Sequence, residues 1–296
     1  MVSIITINYN GWQDTCELID SMKQIETYPY EIIVVDNASV GDDVEQIRAA
    51  HPDIILVCSE KNRGFAGGNN LGYQYAKGNY IFFLNNDMMI RTPILASLVQ
   101  SLQGKVAGVS PCIAYHYNPD QIQFSGYNRL NKITLKYKNE DIDFSLRENH
   151  FISHEAEFLH GGAMLVRKDV MEKVGKMTEV YFLFSEEYDW SNRIREAGFK
   201  LWYEADAIVY HKGSRSIGTY TPVRAYYMSR SRLLYVRRNN KGLTKYLSCM
   251  YLVMISMPKN IITALLKKEY SIVKALFCGT IRGLIDKKND KYENFN

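Results

Sequence analysis

Apolar, β-branched runs alternate with amphipathic stretches through the first hundred residues, an order that predicts an α/β fold with a mostly parallel central sheet and crossover helices. Strands are expected at Val2–Asn8, Glu31–Asp36, Ile54–Val57 and Tyr80–Asn85, and helices near Gln13–Gln24, Asp42–Ala50, Gly68–Ala76 and Pro93–Leu102. The stretch Tyr115–Glu155 is polar, rich in Tyr and Asn and without helical periodicity. It reads as a hairpin or loop region of the kind that carries substrate specificity. From Glu157 the pattern resumes, with a helix at Glu187–Ala197 and a strand pair at Lys200–Tyr203 and Ala207–His211. Beyond Thr221 the chain reads as helical and basic. The expected organisation is therefore a catalytic unit over residues 1–220 and a helical region over 221–296.

Two apolar stretches stand out in that last region. Tyr246–Met257 holds about 12 residues, is expected to end at Pro258, and falls short of the ~20 that span a bilayer. Tyr270–Ile285 places Ile272, Val273, Leu276, Phe277, Ile281 and Leu284 near one helical face, a pattern suited to a helix lying in a membrane interface or packing on the body of the protein.

Charge sharpens this division. Residues 212–296 contain 17 Lys and Arg against 4 Asp and Glu, which leaves 19 against 28 for residues 1–211 in a chain of net charge +4. The segment Arg224–Lys245 has seven basic residues and no acid. Such a tail is expected to meet an anionic surface, a membrane leaflet or a nucleic acid. Five cysteines without a C-x-x-C pair argue against a disulfide framework or structural zinc site, and Met1 runs straight into an apolar strand without a basic, signal-type leader. A reducing, cytoplasmic setting is expected.

Candidate chemistry lies where the predicted strands end, since ligands of open parallel sheets bind outside the strand carboxyl ends. Those ends read Asn8–Gly11, Asp36–Ser39 and Asn85–Asp87. Asp36 can accept from a ribose hydroxyl or base N–H. Asn62–Asn70 combines three glycines with Arg63, a composition that admits close backbone approach to an anion and supplies a counter-charge. Asp87, flanked by Asn85 and Asn86, offers oxygen to a hard divalent cation, or caps the next helix. Glu186, Glu187 and Asp189 cluster at a helix start, more carboxylates than capping requires, and close like charges can raise one pKa toward the range of a general base. His211, at a strand end, can complete a metal site with Asp87.

In this order the segments VSIITINYNG, EIIVVDNAS, NRGFAGGNN, FLNNDMMI, GGAMLVRKDV and EEYDWSNRIREAGFKLWYEADAIVYHKGS resemble family 2 glycosyltransferases of the GT-A fold, in particular the rhamnosyltransferase-like branch that builds bacterial surface polysaccharides. The resemblance covers roughly residues 2–240. It implies a nucleoside site at Thr6, Asn8, Tyr9, Asp36 and Asn37, a diphosphate site at Arg63, Gly64, Asn69 and Asn86, and an acceptor border at Gly161, Gly162 and Ala163. It implies Mg²⁺ or Mn²⁺ at Asp87 and His211, with Glu187 as base beside Glu186 and Asp189. Asn85 stands where the family's D-x-D motif has its first Asp, and Glu187 replaces the family's Asp. No Q-x-x-R-W block is present, so a single sugar addition is expected, from a nucleotide diphosphate sugar such as a UDP- or dTDP-sugar to a lipid-linked saccharide at the inner membrane face. Two alternatives stay open at this point. A sugar-nucleotide nucleotidyltransferase would need a basic, glycine-rich turn after the first strand, and NYNGWQD is not one. A nucleic-acid-binding protein would leave the acidic body unexplained, so no nucleic-acid partner is expected.

Overall fold

A computed structural model of the chain describes residues 1–126, 130–136, 152–213 and 221–287. Within the expected loop Tyr115–Glu155, residues 127–129 and 137–151 lie outside the described residues, as do 288–296 of the basic tail. The first four strands form where the β-branched runs predict them: β1 Val2–Asn8, β2 Tyr30–Asp36, β3 Ile55–Cys58 and β4 Tyr80–Leu84. Helices α1 Trp12–Ile25, α2 Asp43–Ala50 and α3 Gly64–Tyr73 connect them. In α1, Thr15, Leu18, Ile19 and Met22 are buried at the spacing of one helical face. The α3 helix begins four residues earlier than expected, because Asn62 and Asn37 satisfy the first N–H groups of the glycine loop.

Then follow β5 Met88–Ile90, α4 Leu95–Ser101, β6 Val106–Tyr115, β7 Ile122–Phe124, β8 His154–Ala156, β9 Ala163–Arg167 and α5 Lys168–Val174. The sheet-bearing part ends with α6 Glu186–Glu196 and β10 Lys200–His211. The expected strand pair at 200–211 is one strand, kinked by register shifts between Glu204 and Ile208 against β6. The ten-stranded sheet runs β3-β2-β1-β4-β9-β6-β10-β5, with β7 paired to β6 and β8 to β10. Strands β1 to β4 pair in parallel, whereas β9 inserts antiparallel between β4 and β6. That insertion places the 160–163 turn and the start of α6 on the same side as the carboxyl ends of β1 and β4.

Among the described residues, four helices follow: α7 Pro222–Asn239, α8 Gly242–Tyr251, α9 Met257–Leu266 and α10 Tyr270–Ile285. Three expectations change here. First, Pro258 does not end the helix. A π turn over Leu252–Ser256 bridges α8 and α9 into one helix of 25 residues, Gly242–Leu266, because the wider turn just before Pro258 accommodates its ring. With a mean hydropathy of 1.5, this helix is long and apolar enough to cross a membrane by length and composition. Second, the apolar face expected on α10 divides. Ile272 and Leu276 are buried, and a Cβ at Gly279 would lie 2.3 Å from the Tyr226 carbonyl oxygen, so α10 seats its small residues against α7. Phe277, Ile281 and Leu284 remain exposed. Third, part of the basic run turns inward. Arg230 donates to Asp286 and to the Val180 and Tyr181 carbonyls, Arg237 to the carbonyls of Gly283 and Asp286, and Arg238 to Asp189.

Candidate active site

The loops after β1, β2 and β3 hold one another in place. Asn8 Nδ2 donates to Asp36, Ser39 and Asp43, at 3.0, 3.0 and 2.9 Å, and its Oδ1 accepts from the Thr15 hydroxyl. Asp43 also accepts from the backbone N–H groups of Gly11 and Trp12, satisfying the open start of α1. Asp36 takes a further bond from the Ser39 N–H. Asn37 accepts from the Arg63 N–H and donates to Asn62 and to the Gly64 carbonyl, tying the β2 loop to the glycine loop. Ser39 and Asn62 lie in the strand-end and glycine-loop segments expected from the sequence, whereas Asp43 is a site residue that sequence reasoning missed. Its signal was a polar residue at a helix start.

Gly64 has φ +69, and a Cβ there would come within 2.2 Å of the Phe182 carbonyl oxygen, so this position requires glycine. Arg63 donates its Nε to Ser59. Tyr9 is 36% exposed at the mouth of the group. Thr6 and Asn69 are almost wholly buried, and Thr6 Oγ1 and Asn69 Nδ2 have no hydrogen-bond partner. Asn86 donates to Thr15 at 3.1 Å and toward the Gly11 carbonyl.

A cavity of about 870 Å³ opens beside this network. It brings together Asn85, Gly161, Gly162, Glu186, Glu187 and His211 from the expected set. Ala163 lies behind, buried in β9. His211 Nε2 is 3.0 Å from Asp87 Oδ2, and its Nδ1 is 2.6 Å from Gln123 Oε1. With Nδ1–H donating to Gln123, the Nε2 lone pair faces a carboxylate, an arrangement satisfied by a proton or a cation between them. Asp87 Oδ1 is buried without a partner. A carboxylate oxygen left open beside an imidazole nitrogen fits a divalent cation that takes its remaining ligands from a substrate's phosphates. Among the described residues no group of three or more His, Cys, Asp or Glu could hold a metal ion without such help.

The turn into α6 is strained. Phe182, Phe184 and Ser185 all have positive φ, at 68, 67 and 77°. Such clusters of non-glycine residues persist only where the surroundings hold them. The Phe65 N–H donates to the Phe182 carbonyl and the Ser231 hydroxyl to that of Leu183. This turn delivers Glu186 and Glu187 to the cavity. A Cβ at Gly161 would sit 3.6 Å from the Glu187 carboxyl carbon, so the glycine leaves space directly over that group. Burial pushes the Glu187 carboxyl up to about 7. Glu186 is pushed well above its ordinary value by deeper burial and then by Glu187, and its Oε2 has no partner.

Asp189, grouped with these in the sequence, lies apart. It is 2% exposed and accepts from Tyr181, Arg238 and Asn239 at 2.8, 2.8 and 3.0 Å, with Arg193 at 3.3 Å. The Arg238 hydrogen bond and charge, with Arg193, hold its carboxyl below the usual range despite burial. Asp189 is a clasp between α6 and α7. Beside that clasp, α7 supplies Arg224, Met228, Arg232 and Tyr235 to the cavity wall. The sequence placed none of these four in the site.

Comparison with known proteins gives this geometry a context. The family model described as glycosyl transferase family 2 matches residues 3–175. The low-salt glycan biosynthesis hexosyltransferase Agl10 of Haloferax volcanii is 25% identical over 214 residues, covering 68% of this chain, and the chain spans 63% of that relative's length. The dTDP-rhamnosyl transferase RfbF of Shigella flexneri is 26% identical over 284 residues, 90% of this chain and 89% of the relative. The solved mannosyltransferase PcManGT from Pyrobaculum calidifontis, in complex with GDP-Man and Mn²⁺, superposes with a TM-score of 0.60 at 17% identity, covering 97% of this chain and 87% of that one.

Proposed function

The chain belongs to glycosyl transferase family 2 and has the GT-A fold, and from that premise we propose that it transfers a single sugar, with inversion, from a UDP- or dTDP-sugar to a lipid-linked saccharide. The observation that carries this reading is Glu187: a carboxyl group raised to about 7, facing the space over Gly161, in the cavity that also holds His211 and Asn85. The likeness to a dTDP-rhamnosyl transferase along 90% of the chain supports a dTDP-sugar donor, dTDP-rhamnose being one.

Glu187 accepts the proton of the acceptor hydroxyl as that oxygen bonds to the anomeric carbon. The bond from that carbon to the donor diphosphate breaks, and the nucleotide diphosphate leaves. A carboxyl that titrates near neutrality is matched to this task. Burial, and then the neighbouring Glu187, push the Glu186 carboxyl well above its ordinary value, which favours its protonated form beside Glu187. Asp36 and Tyr9 orient the nucleoside, and the Arg63 guanidinium offsets charge on the diphosphate. Asp87 and His211 would hold a Mg²⁺ or Mn²⁺ ion, which supplies charge neutralisation to the leaving diphosphate.

The exposed apolar side chains of Gly242–Leu266, among them Leu243, Leu247, Met250 and Met254, with Lys241, Lys259, Lys267 and Lys268 exposed nearby, support attachment to an anionic membrane face. The test is a thermal-shift panel of UDP-, dTDP- and GDP-sugars with and without Mn²⁺. Stabilisation by a UDP- or dTDP-sugar that grows with Mn²⁺ is expected. No stabilisation by any nucleotide sugar contradicts the reading.

A further inference from the structure

A second cavity, of about 270 Å³, lies between α7, α9 and α10 and shares Arg224, Met228 and Arg232 with the catalytic cavity. Among the described residues, no carboxylate lines it. Its polar lining combines the two guanidiniums with hydroxyl and amide groups of Ser229, Ser256, Asn260 and three threonines, which can donate or accept, set among Leu252, Met257 and Leu276. The two arginines differ from their neighbours on α7. Arg230 and Arg238 are ion-paired and Arg237 is bound to two carbonyls. Among the described residues Arg232 makes one hydrogen bond, from Nη2 to the Thr134 carbonyl, and burial pushes its pKa below the usual guanidinium value. Arg224 stacks over Phe184, 5.2 Å from the ring centroid. A partly buried cation without a counter-charge is costly, and two on one wall favour an anion between or beside them.

One wall of this cavity belongs to the helix Gly242–Leu266, which lines it with Leu252, Ser256 and Met257 and carries Asn260 at the exposed rim, while Met254, Ile255, Ile262 and Leu266 face solvent. A ligand filling the cavity would therefore meet the α7 guanidiniums and, beside them, the apolar side chains of Leu252, Met257 and Leu276. That is the chemistry of a phosphate esterified to a hydrocarbon chain. We propose that this cavity binds the phosphate or diphosphate of the lipid that carries the acceptor, with Arg224 and Arg232 positioning it so that its sugar reaches Glu187. The proposal rests on the transferase reading above and adds where the acceptor's anion sits.

Calorimetry on the full chain tests it with farnesyl diphosphate, inorganic diphosphate and dihexanoyl-phosphatidylglycerol, each below its micellar concentration. Farnesyl diphosphate is expected to bind more tightly than either of the others. Arg232→Gln and Arg224→Gln should each weaken it roughly 10-fold or more, the usual worth of a hydrogen bond to a charged group. Asn260→Trp, at the exposed rim, should weaken it by filling the space while both guanidiniums remain. Nucleotide-sugar affinity, measured on the same samples, should stay at the wild-type value and so report an intact fold. Equal farnesyl diphosphate affinity in wild type and all three variants overturns the site. Phosphatidylglycerol binding as tight as farnesyl diphosphate also overturns it, in favour of a bilayer headgroup site. A parallel loss of nucleotide-sugar affinity would move the arginines to the donor and overturn the acceptor assignment. A wild type that binds no nucleotide sugar would instead sink the transferase reading beneath it.

Discussion

The loops after β1, β2 and β3 and the wall built from α6 and α7 treat polar groups in opposite ways. In the loops, Asn8, Asp36, Asn37 and Asp43 are hydrogen-bonded to one another and to backbone N–H groups before any ligand arrives. On the wall, Glu186 keeps an unpartnered buried oxygen, Glu187 is desolvated, and Arg224 and Arg232 have no carboxylate partner among the described residues. A satisfied network holds its shape and presents a few fixed contacts, which suits the proposed nucleotide site. An unsatisfied wall has strained groups whose energy a substrate can relieve, which is where reaction chemistry belongs.

Breaking the wall at its reactive carboxyl should have the largest effect. Glu187→Gln is expected to lower kcat by about 10²–10⁴-fold while the nucleotide-sugar dissociation constant stays unchanged. Single-turnover rates with calorimetric affinities check this, and an equal loss in affinity would place Glu187 on the donor side.

Breaking the clasp that joins the two regions comes next. Asp189→Ala leaves Arg238 and Arg193 without their buried acceptor and should cost about 3–5 kcal/mol in urea unfolding, the usual penalty for one partner of a buried ion pair. A stability loss under 1 kcal/mol would mean that α7 is held by other contacts.

A gentler test reaches the cation site from behind. Gln123 touches His211 only through Nδ1, so Gln123→Ala should weaken Mn²⁺ binding by about 10–100-fold, as loss of an outer-sphere partner typically does. Electron paramagnetic resonance of free Mn²⁺, titrated with nucleotide diphosphate present, reads it without turnover. Unchanged Mn²⁺ affinity would separate His211 from the cation.

The smallest expected effect is thermodynamic. Glu186 stays protonated in the fold at a pH where the unfolded chain has already released that proton, because burial and then Glu187 raise its folded pKa. Stability should therefore fall as pH rises above the ordinary carboxylate range, until the folded carboxyl itself ionises. Glu186→Gln removes that part of the fall, so its advantage over wild type in urea midpoint should grow from pH 5 to pH 8. A constant difference would show that Glu186 titrates normally.

The contrast between the regions also explains what the sequence disclosed. Asp36, Asp87 and the glycine loop follow strands whose apolar runs are continuous, so local pattern alone places them at the crevice. Even there, the start of α3 at Gly64 depended on Asn37 from another loop, which no local signal conveys. The 160–163 turn was readable through family blocks, and Glu187 through its cluster of carboxylates at a helix start as well as its family block. The α7 wall was not readable at all. Arg224 and Arg232 sit in a basic run that resembles Arg230 and Arg238 in composition, and only tertiary packing decides which of them face Asp286, Asp189 or the cavity. The 25-residue helix was hidden by Pro258, whose usual breaking effect a π turn absorbs.

The central claim is that one desolvated carboxyl on this wall removes the acceptor proton, and the pH dependence of kcat tests it most directly. With a UDP- or dTDP-sugar donor that binds and a saturating acceptor, wild-type kcat should rise with pH through a titration near 7 and level off as Glu187 becomes a carboxylate. Glu187→Gln should show a low rate without that rise. A rise of the same midpoint in Glu187→Gln, or a flat wild-type profile from pH 5.5 to 8.5, would contradict the account.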